Sequence, residues 1–215
     1  MFVTTLISLL VKPEVIVAIT SIISIFVTYI VAPYISEHAK KLFNKSPDKV
    51  KDELLGAEKV YNKLTTIMSD VGCDKIWIKQ FHNGANFLYN SKSMQKFSMI
   101  FEQTNCGIQK TQEGYQNIPI HLYYKYITQV INNSFLAIDF TRLETPKYDM
   151  EGLSQIYGIK TLYSFPIYSI DDNLLGILGL EFINNSKELS QEEIHDLLGD
   201  AGSIGGILQT SILKK

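Results

Sequence analysis

The sequence predicts an α+β fold in which an antiparallel sheet carries flanking helices on one side. A single transmembrane helix and a linker helix are expected before this sheet. Three observations support the prediction. An uncharged apolar run fills residues 15–31, the middle of the chain alternates strand-like and helix-like patterns, and amphipathic helical patterns bracket that middle region. The 215 residues suffice for about one domain plus an appendage.

The first element is a predicted membrane anchor. The run VIVAITSIISIFVTYIV, residues 15–31, approaches the roughly 20 residues needed to cross a bilayer core of about 30 Å. Tyr29 and Tyr34 lie near its end, where tyrosine rings favour the membrane interface. A cleaved signal peptide fits less well, because no basic segment precedes the run. We therefore expect residues 1–34 to form a retained single-pass anchor in the inner (cytoplasmic) membrane.

Charge sets the expected orientation and excludes one class of partner. Only Lys12 precedes the apolar run, whereas five lysines follow it within residues 35–51. The positive-inside rule therefore places the domain after the span in the cytoplasm. Cys73 and Cys106 fit no paired spacing, which agrees with a reducing compartment. The net charge of −2 comes without a dominant basic stripe, so we expect no nucleic-acid partner.

A charged hinge over residues 35–49 precedes a helix with a heptad pattern. From about residue 50 to residue 71, apolar residues recur at alternating spacings of four and three. This spacing is typical of a coiled-coil seam and predicts a homodimer. A helix that packs one face on its own domain would give the same pattern, and the two arrangements are compatible. The predicted seam residues are Val50, Leu54, Ala57, Tyr61, Leu64, Met68 and Val71.

The middle of the chain alternates strand and helix patterns, because its apolar residues recur at spacings of two and of three to four. The first predicted strand ends at a turn formed by Asn83 and Gly84, which tolerate positive φ angles. Gly158 is expected to end the helix predicted over residues 148–157. Strands are predicted over residues 75–82, 97–102, 136–140, 161–168 and 175–182, and helices over residues 119–132 and 148–157.

The last predicted element is an amphipathic helix that begins after Ser190, which can form a capping box with Glu193. Four glycines within residues 199–206 weaken this helix by up to about 1 kcal/mol each, but they let another helix approach closely. We therefore expect this helix and the heptad-patterned helix to form an antiparallel pair.

The segment IYGIKTLYSFPIYSIDDNLLGILGLEF, residues 156–182, resembles the corresponding part of GAF domains. The triplet Phe165-Pro166-Ile167 on one strand and the Gly- and Leu-rich residues 175–180 on the next match the GAF pattern, which PAS-like domains share in part. The resemblance covers residues 50–213. It implies a GAF-like domain that binds a small molecule over one face of its sheet or mediates dimerisation, and that is not an enzyme.

A second, weaker resemblance is to the holins of T-even phages. It rests on the layout of one N-terminal span plus a small α+β domain, with YSFPIYSIDDN near its end. It implies a periplasmic domain that receives an antiholin signal, whereas the lysine distribution points to the cytoplasm. A composition rich in Asn, Ile, Lys and Tyr is compatible with a phage-encoded protein.

Candidate site residues lie at the end of the first predicted strand. The sequence contains no nucleophile elbow, Walker loop, HExxH or CxxC motif, so we expect no catalytic residue, metal ion or cofactor. Period-two alternation places Gln80 and His82 on one strand face, at the polar end of an apolar row. With Asn83, and with Glu102 expected near His82, they are candidates for a ligand pocket. The alternative is a polar network that fixes the sheet edge.

The sequence as a whole predicts a membrane-anchored, non-enzymatic GAF-like sensory or protein-binding module. Its expected partners are the lipid bilayer, a second copy of the chain, and a small-molecule ligand or regulatory protein. A ligand could bias the heptad-patterned helix only through different affinities for its two states. The alternative is a holin-like phage lysis protein whose soluble domain controls the timing of lysis.

Overall fold

A computed structural model describes residues 13–34, 49–86, 93–142 and 155–212. The chain divides into two compact units, Met1–Lys49 and Val50–Lys215. In the first unit, helix α1 (Pro13–Phe26) continues into a π-helical turn (Val27–Val31). Within the described ranges, no helix combines the length and the apolar character needed to cross a membrane. Residues 1–12 of the predicted anchor, and all of the predicted hinge except Lys49, lie outside the described residues.

The second unit is built on a six-stranded antiparallel sheet, which confirms the predicted α+β class. Its strands lie in the order β3-β2-β1-β6-β5-β4, so that β1 and β6 occupy the centre. The strands are β1 (Lys75–Asn86), β2 (Ser93–Thr104), β3 (Ile118–Pro119), β4 (Leu136–Asp139), β5 (Thr161–Tyr168) and β6 (Leu174–Phe182).

Helices cover both faces of the sheet, so the prediction of helices on one side is wrong. Helices α2 (Lys49–Val71) and α4 (Gln191–Ile207) pack on one face, through a core that includes Ile76 and Ile78. Helix α3 (Tyr124–Asn132) packs on the opposite face, because it buries an apolar stripe of its own in a second core around Trp77. Among the described residues, short 3₁₀ helices also span Gln112–Gly114 and Ile120–Tyr123, and α4 is followed by a π-helical turn (Leu208–Ile212).

Two predicted boundaries are wrong. Strand β1 does not turn at Asn83 and Gly84: Asn83 pairs with Gln95 of β2, and the strand continues to Asn86. The helix predicted from residue 119 begins later, because Pro119 is extended (φ −61°, ψ 129°) and pairs with Lys96 at the sheet edge. An edge strand tolerates proline because no neighbouring strand needs its missing N–H.

Other predicted boundaries are confirmed. The turn between β5 and β6 is closed by the Ser169 N–H, which donates to the carbonyl of Asn173 (2.8 Å). The capping box is present, since Ser190 and Glu193 each accept the other's backbone N–H. Residues 155–157 are helical and end at Gly158, whose φ of 67° suits the predicted C′ position. Residues 148–154 of that predicted helix lie outside the described residues.

Helices α2 and α4 run antiparallel, as predicted. Lys187, just before α4, donates to the carbonyl of Val71 at the end of α2 (2.7 Å), and Lys63 pairs with Asp200 (2.6 Å) nearer the middle of both helices. Gly205 allows a close approach, but the neighbour is a strand rather than a helix. A Cβ at this position would overlap the carbonyl oxygen of Tyr168 in β5.

The predicted seam of α2 is divided between two environments. Its C-terminal part, which includes Leu64 (0% exposed), is buried in the domain core with Met68 and Val71. Its N-terminal part is exposed, with 67% of Val50 and 65% of Leu54 accessible. The second half of the heptad pattern therefore reflects packing of α2 on the domain. Over the first half of the pattern, the apolar side chains of α2 are exposed.

Candidate functional site

The candidate site lies on the α3 face of the sheet and begins with the alternation of β1. Ile76 and Ile78 point towards α2 and α4, so Trp77 and Lys79 point to the other face and are buried there. A register irregularity at Ile78/Lys79 sets Met99 opposite Lys79 in β2. Lys79 and Trp77 therefore lie on the face of the sheet opposite to the one that carries Gln80 and His82.

Lys79 is a buried lysine held in an aromatic cage. Only 4% of it is exposed, and its Nζ lies 4.0 Å from the ring centroid of Trp77 and 4.1 Å from that of Tyr115. The Phe97 ring is 5.4 Å away. Within the part of the chain that the structure describes, Lys79 makes no hydrogen bond and no ion pair. Aromatic faces attract a cation, but they do not replace the hydrogen bonds that an ammonium group makes in water.

Burial lowers the pKa of Lys79 to about 7. The charge of Lys75 acts in the same direction, whereas Glu181 and Glu102 oppose it. Desolvation dominates because a buried ammonium group loses its hydration. Near neutral pH the amine is therefore divided between charged and neutral forms, unlike an exposed lysine, which is fully charged.

A small cavity of about 10 Å³ adjoins Lys79, roughly the space that one water molecule needs. Phe81 and Tyr123, which line the cavity, are only half-buried, so each is also partly exposed to solvent. The hydroxyl of Tyr126 is hydrogen-bonded to Ser164 (2.7 Å). The lining residues are Lys79, Phe81, Phe97, Tyr123, Tyr126, Ile127 and Ile177.

A buried ionic network lies beside the cage. Lys75 Nζ is 3.1 Å from Glu102 Oε1 and 3.5 Å from Glu181 Oε2, and it donates to Thr111 Oγ1 (2.8 Å). Burial tends to raise the pKa of Glu102, but hydrogen bonds from Thr111, Gln112 and Lys75 outweigh it and lower the pKa. Both glutamates are thus close to one cation, and Glu102 remains ionised.

Trp77 connects this network to the cage. Its Nε1 donates to Glu181 Oε1 (2.6 Å), while Glu181 Oε2 makes no hydrogen bond among the described residues. The indole lies across Gly179, the cross-strand partner of Trp77 in β6. A Cβ at Gly179 would overlap three atoms of the Trp77 ring, so the glycine makes room for the indole.

The predicted site residues Gln80, His82 and Asn83 lie towards the end of β1, where its pairing with β6 stops and its pairing with β2 continues. His82 Nδ1 donates to the carbonyl of Asn83 (3.2 Å), because a carbonyl can only accept. His82 Nε2 then accepts from the hydroxyl of Ser98 (2.9 Å), whose oxygen accepts the N–H of Asn117 (2.9 Å). This is the arrangement expected of a polar network that fixes the edge. Ligand binding at these residues stays a prediction.

The structure does not bring Glu102 to His82. Glu102 pairs with Trp77 across the sheet, whereas His82 pairs with Lys96, so the two side chains stand at separate levels. Sequence reasoning missed Lys79 and Trp77 as site residues, whereas Tyr115 was among the tyrosines expected either to line a cavity or to pack in the core. Period-two alternation already places Trp77, Lys79 and Phe81 on one face, and a lysine between two aromatic residues was the available signal.

A second, open groove of about 430 Å³ is a weaker candidate. Its two basic groups already have partners, since Arg142 pairs with Asp139 (3.1 Å) and Lys187 with Glu193 (2.7 Å). Within the described ranges, no three potential ligands from His, Cys, Asp and Glu are grouped as a metal site. The groove is lined by Ala137, Asp139, Arg142, Thr161, Tyr163, Ser186, Lys187 and Glu188.

No model of a known protein family and no curated protein matches this sequence. Solved structures do share its fold. The blue-light absorbing PixJ GAF domain of Thermosynechococcus elongatus is 12% identical, with a TM-score of 0.54 over 75% of this chain and 87% of that one. GAF3 from Slr1393 of Synechocystis sp. is 15% identical, with a TM-score of 0.54 over 70% of this chain and 90% of that one.

The phycoerythrobilin-bound GAF domain of a cyanobacterial phytochrome is 14% identical, with a TM-score of 0.54 over 78% of this chain and 98% of that one. At such identities the similarity shows the fold alone. It confirms the GAF-like fold that residues 156–182 imply. The resemblance to phage holins gains no support from these comparisons.

Proposed function

We propose that this protein is a membrane-anchored, non-enzymatic GAF-like sensory module that binds a small ligand beside Lys79. One observation carries the proposal: a buried lysine amine borders a cavity and has no hydrogen-bonding partner among the described residues. A buried polar group without a partner lowers stability, so its presence favours a role that an apolar residue could not fill.

The fold gives the proposal of a small ligand a second kind of support. One structural neighbour, 14% identical to this chain, is a phycoerythrobilin-bound GAF domain. The cavity beside Lys79 has room for about one water molecule. A larger ligand would therefore have to displace Phe81 or Tyr123, the half-buried rings at its outer side. Ligand binding and ring movement are thus coupled in the proposal.

Trp77 allows this function to be tested directly, because it is the single tryptophan of the chain and its ring contacts Lys79. Full-length protein would be titrated with a panel of small carboxylates, aldehydes, amines and nucleotides while Trp77 emission is recorded. We expect a saturable change with at least one compound, and its loss in Ile177→Phe, which would fill the cavity without adding a second tryptophan. An unresponsive emission across the panel would refute the ligand-binding function.

We further propose that the exposed first half of α2 forms a homodimer with a second copy of the chain. Val50 and Leu54 are exposed apolar residues that continue the heptad register of the buried Leu64. Leu54→Lys should convert the dimer to monomer without unfolding the domain. Leu122→Lys is a matched control, since Leu122 is comparably exposed but lies outside α2. Crosslinking in membranes that found only monomers in the unmodified protein would exclude the dimer.

Membrane anchoring through residues 1–34, with the domain in the cytoplasm, completes the proposal. It rests on the uncharged run of residues 15–31 and on the lysines that follow it. A reporter fused after Lys215 should be active only in its cytoplasmic form. A periplasmic reporter, together with host lysis that requires residues 1–34, would instead support the holin-like function.

A further inference from the structure

We propose that Lys79 holds its ligand covalently, as a Schiff base with a small aldehyde. The inference rests on the proposed ligand site and names the chemical class of its ligand. Lysines act as nucleophiles towards carbonyl groups when they are desolvated in an apolar pocket, because the neutral amine carries the reactive lone pair. Lys79 meets this condition by its burial among Trp77, Phe97 and Tyr115.

The surroundings favour a neutral carbonyl compound over an anion. A carboxylate would need several hydrogen-bond donors, but the hydroxyl of Tyr126 is already bonded to Ser164, and the other described walls are mostly apolar. The negative charges of Glu102 and Glu181 also act at this position. The positive charge of Lys75 acts there as well, so these opposed charges give an anion no clear gain, whereas an uncharged aldehyde is indifferent to them.

The reaction balances without any further reagent. The Lys79 Nζ lone pair attacks the carbonyl carbon, and proton transfer gives a carbinolamine. The carbinolamine loses its hydroxyl group as water, which leaves a carbon–nitrogen double bond. When protonated, this imine carries the same single positive charge as the ammonium group. It would lie over the faces of Trp77 and Tyr115, with Glu181 as the nearby opposite charge.

The size of the cavity limits the ligand to short chains. A volume of about 10 Å³ accommodates roughly one non-hydrogen atom, so even a three-carbon aldehyde must turn Phe81 or Tyr123 outward. Propionaldehyde is therefore a suitable probe. The lowered pKa of Lys79, about 7, supports the chemistry because a substantial neutral fraction exists near neutral pH.

The test traps the imine in the full-length protein. Propionaldehyde is added at pH 7 with cyanoborohydride, and alkylation is located by peptide mass mapping. We expect Lys79 to be alkylated about tenfold or more faster than exposed lysines such as Lys110 and Lys125, with a rate that saturates with aldehyde concentration. Lys79→Arg should lose the fast site and Lys110→Arg should retain it. Trp77 emission should change in parallel with alkylation.

Slower alkylation of Lys79 than of Lys110, or a rate that stays linear in aldehyde, would overturn the proposal. The comparison within the unmodified protein decides the matter even if Lys79→Arg does not fold. Failure here is distinct from failure of the ligand-binding function. If another compound changes Trp77 emission saturably while Lys79 stays unmodified, the binding function stands and the Schiff base is excluded. If no compound changes the emission, both are excluded.

Discussion

The contact between Trp77 and Gly179 leads to a quantitative prediction for Gly179→Ala. The new methyl group would lie within 3.0 Å of three atoms of the buried indole, closer than real Cβ atoms come to a neighbour. The ring must shift, and overpacking of this kind costs about 1–3 kcal/mol. A shifted ring would also weaken the 2.6 Å hydrogen bond from Trp77 to Glu181 and leave the second carboxylate oxygen of Glu181 without a hydrogen bond, at a further cost of about 1–3 kcal/mol.

We therefore expect Gly179→Ala to lower the free energy of unfolding by about 2–6 kcal/mol. For a domain of this size, each kcal/mol corresponds to roughly 2–4 °C in the midpoint of thermal unfolding. Thermal unfolding of the full-length protein, followed by near-UV circular dichroism, measures the shift. Emission of Trp77, the single tryptophan, reports the movement of the ring in the same sample.

A matched control uses the same substitution at Gly202, which is exposed in α4 and where an added Cβ would meet nothing within 4 Å. Gly202→Ala should stabilise the protein by up to about 1 kcal/mol, because alanine favours helix over glycine. The reasoning would be refuted if Gly179→Ala unfolded at the temperature of the unmodified protein with unchanged Trp77 emission.

Three further predictions concern other parts of the domain. Because burial depresses the pKa of Lys79 to about 7, the unfolded chain binds the proton more tightly, and stability should rise as pH increases from 7 towards 10. Lys79→Met should lower that slope, by up to about 1.4 kcal/mol per pH unit, in denaturant titrations at pH 7, 8 and 9; parallel slopes would contradict the assignment. Asp74 accepts bonds from the N–H groups of Ile183 (2.7 Å) and Asn184 (2.8 Å), which outweigh burial and lower its pKa. Asp74→Ala should therefore cost about 1–3 kcal/mol at pH 7, and the difference should shrink as pH falls below 3.8; a constant difference would exclude an ionised Asp74 as its cause. Ser190→Ala should cost about 1 kcal/mol through loss of the capping box, measured by urea unfolding, and an unaltered midpoint would show that the cap contributes nothing.

Local signals in the sequence were sufficient to predict the ends of elements that depend on neighbouring residues. The capping box at Ser190 and the turn at Asp172 are examples, since both are closed by hydrogen bonds between residues a few positions apart. The pair Asn83 and Gly84 shows the limit. The same residues that favour a tight turn also extend in a strand when a partner strand is long enough to pair with them, as β2 is here. The length of a partner strand is a property of the fold.

The candidate site was less accessible from sequence for a related reason. Alternation defines the two faces of β1, but it does not say which face α2 and α4 cover. A lysine between two aromatic residues is ordinarily read as solvent-facing, and the burial of Lys79 depends on Tyr115, a residue far away in the chain. The register that sets Trp77 over Gly179 is likewise visible only once β1 and β6 are paired.

Helix α2 is bonded to the rest of the domain near its C-terminal end, so a small rotation there displaces its N-terminal end by a larger distance. Near its C-terminal end, the Val71 carbonyl is bonded to Lys187, and Asp74 ties the following strand to the end of β6. Its first turns, around Val50, have exposed apolar residues. With a rise of about 1.5 Å per residue, these ends stand roughly 30 Å apart. A tilt of about 5° at the sheet would thus displace the far end by roughly 3 Å, about half the pitch of a helix.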